Sequence, residues 1–187
     1  AAAGVPRPLT PTVTGPALGS HRVTGIAYVD RHGSRKIVPR IVIDCSGDGD
    51  LSAKAGVPYT LGDGQGNMMG VTVSFMMTHA DWSRIFVSDD PYFRDFSRAG
   101  IEEGRLHPDL NQLYLMRSFH PDTVFCNSVV IRGVDGTDPG QLAAAAQEGR
   151  RRCLQLSEFL KSAVPGFENA RMTMLGPTVG VRETRKL

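Results

Sequence analysis

The sequence has no long apolar run, few cysteines and almost no surplus of charge. No run approaches the roughly 18 apolar residues that a membrane span needs, and the N-terminus lacks the charged-then-apolar order of a secretory signal. Lysine and arginine exceed aspartate and glutamate by only 21 to 19, and this net charge of +2 indicates no nucleic-acid partner. Cys45, Cys126 and Cys153 are odd in number and far apart, which predicts reduced thiols in a cytoplasmic protein without a metal site.

The remaining composition is that of an ordinary globular protein. Of the 187 residues, 41% are apolar and 21% charged, and such a chain can bury about 70% of its unfolded surface. The 21 glycines and 12 prolines predict many turns rather than a helical bundle. The first residue is alanine rather than methionine, from which we expect the chain to be a piece of a longer protein.

The N-terminal third is predicted to be rich in β-structure. Thr10–Leu18 and Arg22–Asp30 carry many β-branched residues and are predicted to form two antiparallel strands. Pro39 divides the next apolar run into a short edge piece and a strand over Arg40–Asp44. Within this strand the residues Ile41 to Ile43 are continuously apolar, which is typical of a buried strand in a parallel sheet. A short helix is predicted to begin at Leu51.

The rest of the chain is predicted to be mixed. Further elements are expected as strands over Val71–Met77, Val124–Arg132 and Arg171–Leu175, two helices between Asp81 and Glu103, and a long helix over Asp138–Val164. Asp138 and Gln141 have the spacing of a capping box for the long helix. A glycine in the middle of a helix, here Gly149, lowers helix stability by about 1 kcal/mol relative to alanine. Its presence predicts that another backbone segment lies close to the helix at this position.

The segment Asp44-Cys45-Ser46-Gly47-Asp48-Gly49-Asp50 is the strongest candidate for chemistry. A calcium loop is disfavoured because position 12 is Ala55 and no helix precedes the segment. A glycine turn between a strand and a helix is typical of dinucleotide sites, but Asp48 and Asp50 occupy the electropositive position that a pyrophosphate needs. The turn is better suited to bind hydroxyl groups or to pass its backbone along a cofactor. A capped turn without a ligand is the structural alternative.

Three further residues are candidates. Arg182 and Arg185 could bind a carboxylate substrate through their planar guanidinium groups, although a structural ion pair explains them equally well. His79, at the end of a predicted strand, is the best proton-transfer candidate among the five histidines.

Three ordered segments resemble one protein family. Ile41–Tyr59, Gly133–Pro139 continuing through Pro165–Ala170, and Gly180–Arg185 are similar to the "vIDATGDGDLAAxAGxPY", "GVDGTDP … PGFExA" and "GVRExR" segments of FAD-dependent oxidoreductases. These oxidoreductases are related to the flavoprotein subunits of succinate dehydrogenase and fumarate reductase. The resemblance covers nearly the whole chain.

The resemblance implies part of a glutathione-reductase-like flavin fold of the α/β and α+β class. Residues 1–60 would supply a β-meander, a strand returning to the flavin sheet and the glycine turn, and residues 61–187 a mixed α+β substrate domain. FAD would contact Ser46, Gly47, Asp48 and Gly49, where Ser46 replaces the family's threonine. The family's N-terminal G-x-G-x-x-G, which receives the FAD pyrophosphate, is absent from the sequence.

These observations predict a fragment of an FAD-dependent oxidoreductase that transfers hydride between a small organic substrate and flavin. The fragment alone should bind FAD weakly or not at all and should be inactive. The alternative is a non-catalytic α/β binding or assembly module. A fragment cut from a flavin sheet would expose strand edges, so self-association is also predicted.

Overall fold

The computed structural model describes residues 12–20, 22–85 and 90–187. The start of the first predicted strand, Thr10 and Pro11, lies outside the described residues. The described chain divides into two compact units. Unit 1 comprises the described residues up to Gly64 together with Arg185–Leu187, and unit 2 comprises Gln65–Thr184.

The strands and helices alternate irregularly along the chain. In chain order they are β1 (Thr12–Leu18), β2 (Val23–Asp30), β3 (Gly33–Ile37), α1 (Asp50–Lys54), β4 (Thr60–Leu61), β5 (Val71–Thr78), α2 (Trp82–Ile85), α3 (Arg94–Glu102), β6 (Leu115–Arg117), β7 (Val124–Ile131), α4 (Pro139–Ala163), β8 (Arg171–Leu175) and β9 (Arg185–Lys186). A 3₁₀ turn at Pro108–Leu110 precedes β6.

Unit 1 is built on an antiparallel meander in the order β1-β2-β3. The register places Thr12 opposite Val29 and Ile26 opposite Ile37, and a bulge interrupts the first pairing near Gly15. The two-residue strands β4 and β9 form a second antiparallel pair. This pair brings the C-terminal residues to the same unit as the glycine turn, which lies just before α1.

The predicted buried strand over Arg40–Asp44 is wrong. These residues form no strand, and the side chains of Ile41 and Ile43 are 80% and 81% exposed. A parallel strand is stable only when neighbouring strands satisfy its backbone and cover both faces. The described residues of unit 1 supply no such neighbours, so the apolar run lies at the surface.

Unit 2 contains a four-stranded antiparallel sheet in the order β6-β7-β5-β8, on which α4 packs. The β5 side chains alternate between buried and half-buried positions, as expected for a strand with one face on a core. The largest side chains of this core are fully buried and come from the sheet, α4 and the connecting segments: Phe75, Phe93, Phe167, Met77, Leu110, Leu113, Leu156 and Leu160.

Helix α4 begins at a side-chain cap, as predicted. The Asp138 carboxylate accepts hydrogen bonds from the N–H groups of Gly140 (2.7 Å) and Gln141 (3.2 Å). The Gln141 side-chain oxygen accepts from Asp135 N–H at 2.9 Å instead of completing a capping box on Asp138. A Cβ atom at Gly149 would lie 2.4 Å from Val73 Cγ2, so the close neighbour of this glycine is a side chain rather than the predicted backbone.

The fold class is α+β. The sequence analysis named both α/β and α+β, and the second of these is confirmed. Every strand pair among the described residues is antiparallel, so the parallel α/β sheet is not formed there.

Cys45, Cys126 and Cys153 are all unpaired, and burial raises the pKa of the Cys126 and Cys153 thiols. None of the described helices has the length and apolar character to cross a membrane.

Candidate functional site

The Asp44 carboxylate organises the glycine turn of unit 1. Its Oδ1 accepts hydrogen bonds from the Ser46 hydroxyl (2.7 Å) and N–H (3.1 Å). Its Oδ2 accepts from the Ser52 hydroxyl (2.7 Å) and N–H (2.8 Å). These bonds, led by the one from the Ser52 hydroxyl, hold the pKa of Asp44 well below its ordinary value. The carboxylate therefore stays charged at neutral pH and fastens the start of the turn to α1.

The Ser46 hydroxyl is committed to the protein on both sides. While it donates to Asp44, its oxygen accepts a hydrogen bond from Asp50 N–H at 2.8 Å, at the start of α1. This serine therefore caps a helix terminus whose N–H groups would otherwise lack a partner. A cofactor beside Ser46 would contact the backbone of this residue and the exposed side of its hydrogen bond with Asp50.

Gly47 is the more open of the two glycines of the turn. Its φ of 89° lies in the left-handed region that favours glycine, and a Cβ atom placed there would have no neighbour within 4 Å. Gly49 also has a positive φ, of 66°, but a Cβ there would approach Leu187 Cδ1 at 3.2 Å. The two predicted cofactor glycines therefore differ: Gly47 faces open space, and Gly49 packs against the C-terminal residue.

Arg185 connects the turn to the β4–β9 pair. Its Nη1 lies 2.7 Å from Asp50 Oδ1 and 3.7 Å from Asp48 Oδ2, and it also donates to the Asp48 carbonyl oxygen. Asp48 Oδ1 accepts a further hydrogen bond from Arg185 N–H at 3.0 Å. The Arg185 guanidinium lies over the Tyr59 ring, 5.5 Å from its centroid. The side chains of Asp48 and Arg185 are each only 14% exposed, so this is a largely desolvated ion pair.

Beside the turn lies an open depression of about 350 Å³. Its lining combines apolar side chains with hydrogen-bonding groups of the turn, α1 and β1: Val13, Gly15, Ile43, Asp44, Cys45, Ser46, Asp50, Leu51 and Lys54. Mixed linings of this kind, with a few placed polar groups, are typical of small-molecule sites. The two carboxylates of the lining, Asp44 and Asp50, outnumber its one cation, Lys54, so the depression is unfavourable for phosphate and better suited to hydroxyl or N–H donors.

The other predicted residues belong to unit 2. Arg182 belongs to unit 2, is exposed, and has no ion-pair partner among the described residues. His79 also belongs to unit 2 and lines a different cavity. Of the residues predicted to bind FAD or substrate, unit 1 brings together Ser46, Gly47, Asp48, Gly49 and Arg185.

Two site features were missed by the sequence analysis. The Asp44 network has a local signal, because an aspartate two residues before a serine commonly accepts its N–H and hydroxyl. The pairing of Asp48 with Arg185 has no local signal, since 137 positions separate the two residues. Only the three-dimensional pairing of β4 with β9 reveals it.

One comparison with known proteins identifies the class. A family model described as FAD dependent oxidoreductase matches residues 3–187. The chain therefore belongs to this family, which supports a general flavin oxidoreductase role and implies FAD binding. Neither the curated proteins nor the solved structures provided a match.

Proposed function

We propose that this chain is a segment of an FAD-dependent oxidoreductase in which the turn from Cys45 to Asp50 lies against the flavin cofactor. FAD, when bound, would supply the redox chemistry by accepting hydride from a small organic substrate. The single observation that carries this proposal is the open, left-handed backbone at Gly47, in a chain whose family uses FAD.

The residues present fit part of FAD rather than all of it. The open backbone of Gly47 allows close approach of a flat group, and the depression beside it has apolar and hydrogen-bonding walls. The carboxylates of Asp44, Asp48 and Asp50 exceed the nearby cations Lys54 and Arg185 by one charge, which opposes a pyrophosphate, and α1 is only five residues long. We therefore propose that the non-phosphate portion of FAD lies at this turn, with its hydroxyl and N–H groups donating to Asp50, because the Asp44 oxygens already accept four hydrogen bonds.

The subfamily and the fragment status are part of the same proposal. The exposed side chains of Ile41 and Ile43 would be covered by the larger flavin sheet of a glutathione-reductase-like fold. The meander β1-β2-β3 fits the same arrangement. On this proposal, residues 1–60 are part of the FAD-binding domain and residues 61–187 are the substrate domain, in a protein related to the succinate dehydrogenase and fumarate reductase flavoproteins.

The two arginines take different parts in this proposal. Arg182, exposed and without an ion-pair partner among the described residues, keeps the proposed role of binding a substrate carboxylate. Arg185 is bonded to Asp48 and Asp50, so a substrate carboxylate would have to compete with both. We propose that Arg185 chiefly positions the turn.

The proposal is tested by Gly47→Ala in the intact flavoprotein, with Gly33→Ala as the matched control. Both glycines have a positive φ (89° and 101°) and open space around a Cβ atom, so alanine costs each about 1–2 kcal/mol of backbone strain. Only Gly47 lies in the turn. We expect Gly47→Ala to lower the flavin retained per protein, read from its visible absorption, while Gly33→Ala retains the full amount.

Two results would contradict the proposal. An intact protein that stays colourless after reconstitution with FAD would exclude the flavin assignment. Equal flavin retention in the two variants would exclude the turn as the contact. A calorimetric titration of the 187-residue chain adds a third test, since it should bind FAD weakly or not at all, and tight binding would contradict the proposed need for a separate pyrophosphate site.

A further inference from the structure

Unit 2 contains a second cavity, of about 650 Å³, that the flavin proposal does not use. It lies where the end of β5, the last turns of α4 and the start of β8 come together. Thr78, the last residue of β5, pairs with Arg171, the first residue of β8, so His79 and Arg171 lie at the same end of the sheet. The lining residues come from these three elements and the α4–β8 connection: His79, Lys161, Glu168, Asn169, Ala170 and Arg171.

His79 is held at this cavity in a strained conformation. Its φ of 61° is in the left-handed region, which is unfavourable for an L-residue. The strain is sustained by hydrogen bonds from His79 N–H to Asp122 Oδ2 (3.2 Å) and from Ala80 N–H to the Asp122 carbonyl (3.0 Å). Asp81 N–H adds a bond to the Gly166 carbonyl at 2.8 Å. Strain that the surroundings maintain in this way is often found at functional sites.

Asp122 also orients the imidazole ring. Its Oδ2 lies 3.5 Å from His79 Nδ1, which favours the proton on Nδ1 and leaves Nε2 as the acceptor in the neutral ring. The hydrogen bond from His79 N–H holds the pKa of Asp122 below its ordinary value, so the carboxylate is charged at neutral pH. The His79 side chain is 65% exposed and lines the cavity.

Among the described cations at the cavity, Arg171 is the one left to bind an anion, and the negative charge of Asp122 lies on the Nδ1 side of His79. Glu168 is neutralised by a bidentate pair with Arg84, at 2.6 and 3.1 Å, and Lys161 is paired with Glu158 at 3.1 Å. The Arg171 guanidinium has no such partner within the described part of the chain, and the Asn169 amide can donate beside it. A guanidinium presents two parallel N–H groups that match a carboxylate.

We propose that this cavity binds a small 2-hydroxy carboxylate, with the carboxylate at Arg171 and the hydroxyl donating to His79 Nε2. Asp122 is the positioning residue for the imidazole. The binding needs no flavin, so the inference goes beyond the proposed function and its failure leaves the flavin assignment intact.

The test compares lactate with propionate, which differ only in the hydroxyl group, by saturation-transfer NMR on the 187-residue chain. We expect lactate to bind about tenfold more tightly than propionate, and Arg171→Gln to weaken both by about tenfold. Arg98→Gln is the matched control, because it removes the same charge from an exposed arginine on α3 whose partner is Asp95. This control should leave both affinities unchanged.

The histidine is tested separately. His79→Asn should reduce lactate to the affinity of propionate without changing propionate binding, since asparagine tolerates the left-handed backbone but is shorter than the imidazole. If His79→Asn does not fold, His79→Gly takes its place in the same comparison, because glycine removes the imidazole ring and the backbone strain together. Absence of binding by either acid, equal affinities for the two, full affinity in Arg171→Gln, or tighter binding of inorganic phosphate than of lactate would overturn the proposal.

Discussion

At the scale of single residues, the candidate flavin turn depends on one carboxylate. Asp44 accepts four hydrogen bonds from Ser46 and Ser52, and these bonds are strongest when it is charged. Removing the charge while keeping the shape isolates its contribution. The turn should then loosen without any loss of the apolar contacts of unit 1.

We expect Asp44→Asn to destabilise unit 1 by about 1–2 kcal/mol, because an amide NH₂ would face donors where an oxygen now accepts. The measurement is amide hydrogen exchange at Ser52, which should become faster. Asp95→Asn, at an exposed carboxylate that is paired with Arg98, is the control and should leave this exchange unchanged. Unchanged protection at Ser52 in Asp44→Asn would show that the network does not hold the turn.

The effect of Asp44 should also depend on pH. Its pKa is lowered in the folded state, so the unfolded chain binds more protons between the two pKa values and stability falls as the pH falls there. The contribution is complete above the ordinary aspartate pKa of about 4 and is lost below it. The stability difference between the original chain and Asp44→Asn should therefore be constant near neutrality and shrink below about pH 4.

The sequence predicted this site only in part. The glycine turn, its position before α1 and the candidate contacts at Ser46–Gly49 follow from local residue order, which determines turns and short helices. The role of Arg185 does not follow, because its bonds to Asp48 depend on a strand pair between residues far apart in the chain. The same limit applies to His79 and Arg171, which the β5–β8 pairing brings to one cavity.

At the scale of secondary-structure elements, hydrophobic periodicity and capping residues predicted those elements that their own local sequence determines. Helix α4 has an apolar stripe and a cap within its own sequence, so its bounds match the prediction closely. The strand expected over Arg40–Asp44 failed because a strand needs partners, and local sequence does not supply them. Gly149 shows the same dependence within α4, since its role is set by Val73 on the opposing sheet.

Gly149→Ala should destabilise unit 2 even though alanine is the better helix former. The new Cβ would lie 2.4 Å from Val73 Cγ2 and 3.1 Å from Ile131 Cδ1. Overpacking of about 1–3 kcal/mol then exceeds the gain of about 1 kcal/mol in helix propensity. Urea unfolding followed by Trp82 fluorescence measures the change.

A double variant provides the control for this prediction. Val73→Ala removes the atom that the new Cβ meets, so the cost of Gly149→Ala should be smaller in the Val73→Ala background. Additive costs in the two backgrounds, or a Gly149→Ala chain as stable as the original, would show that the helix and strand can separate to accept the methyl group.

At the scale of the whole molecule, one surface feature of unit 1 determines how copies of the chain should behave. The segment around Val38, Ile41 and Ile43 has side chains that are 75%, 80% and 81% exposed. It is β-branched and apolar, but it belongs to no strand among the described residues. Such a segment offers backbone and side chains for pairing with another chain.

We therefore expect the 187-residue chain to self-associate in a concentration-dependent way, measured by light scattering after size-exclusion chromatography. Ile41→Lys combined with Ile43→Glu should restore the monomer, because charges oppose edge pairing at the very positions that would be buried. Leu154→Lys is the matched control, since Leu154 is 57% exposed on helix α4 and lies in no unpaired strand segment. A monomeric original chain would contradict the prediction, and monomers produced equally by Leu154→Lys would assign the contact to unit 2. If the intact flavoprotein is monomeric while this chain associates, the apolar segment has found in the longer protein the strand partners that it lacks here, which is the arrangement that the proposed flavin sheet requires.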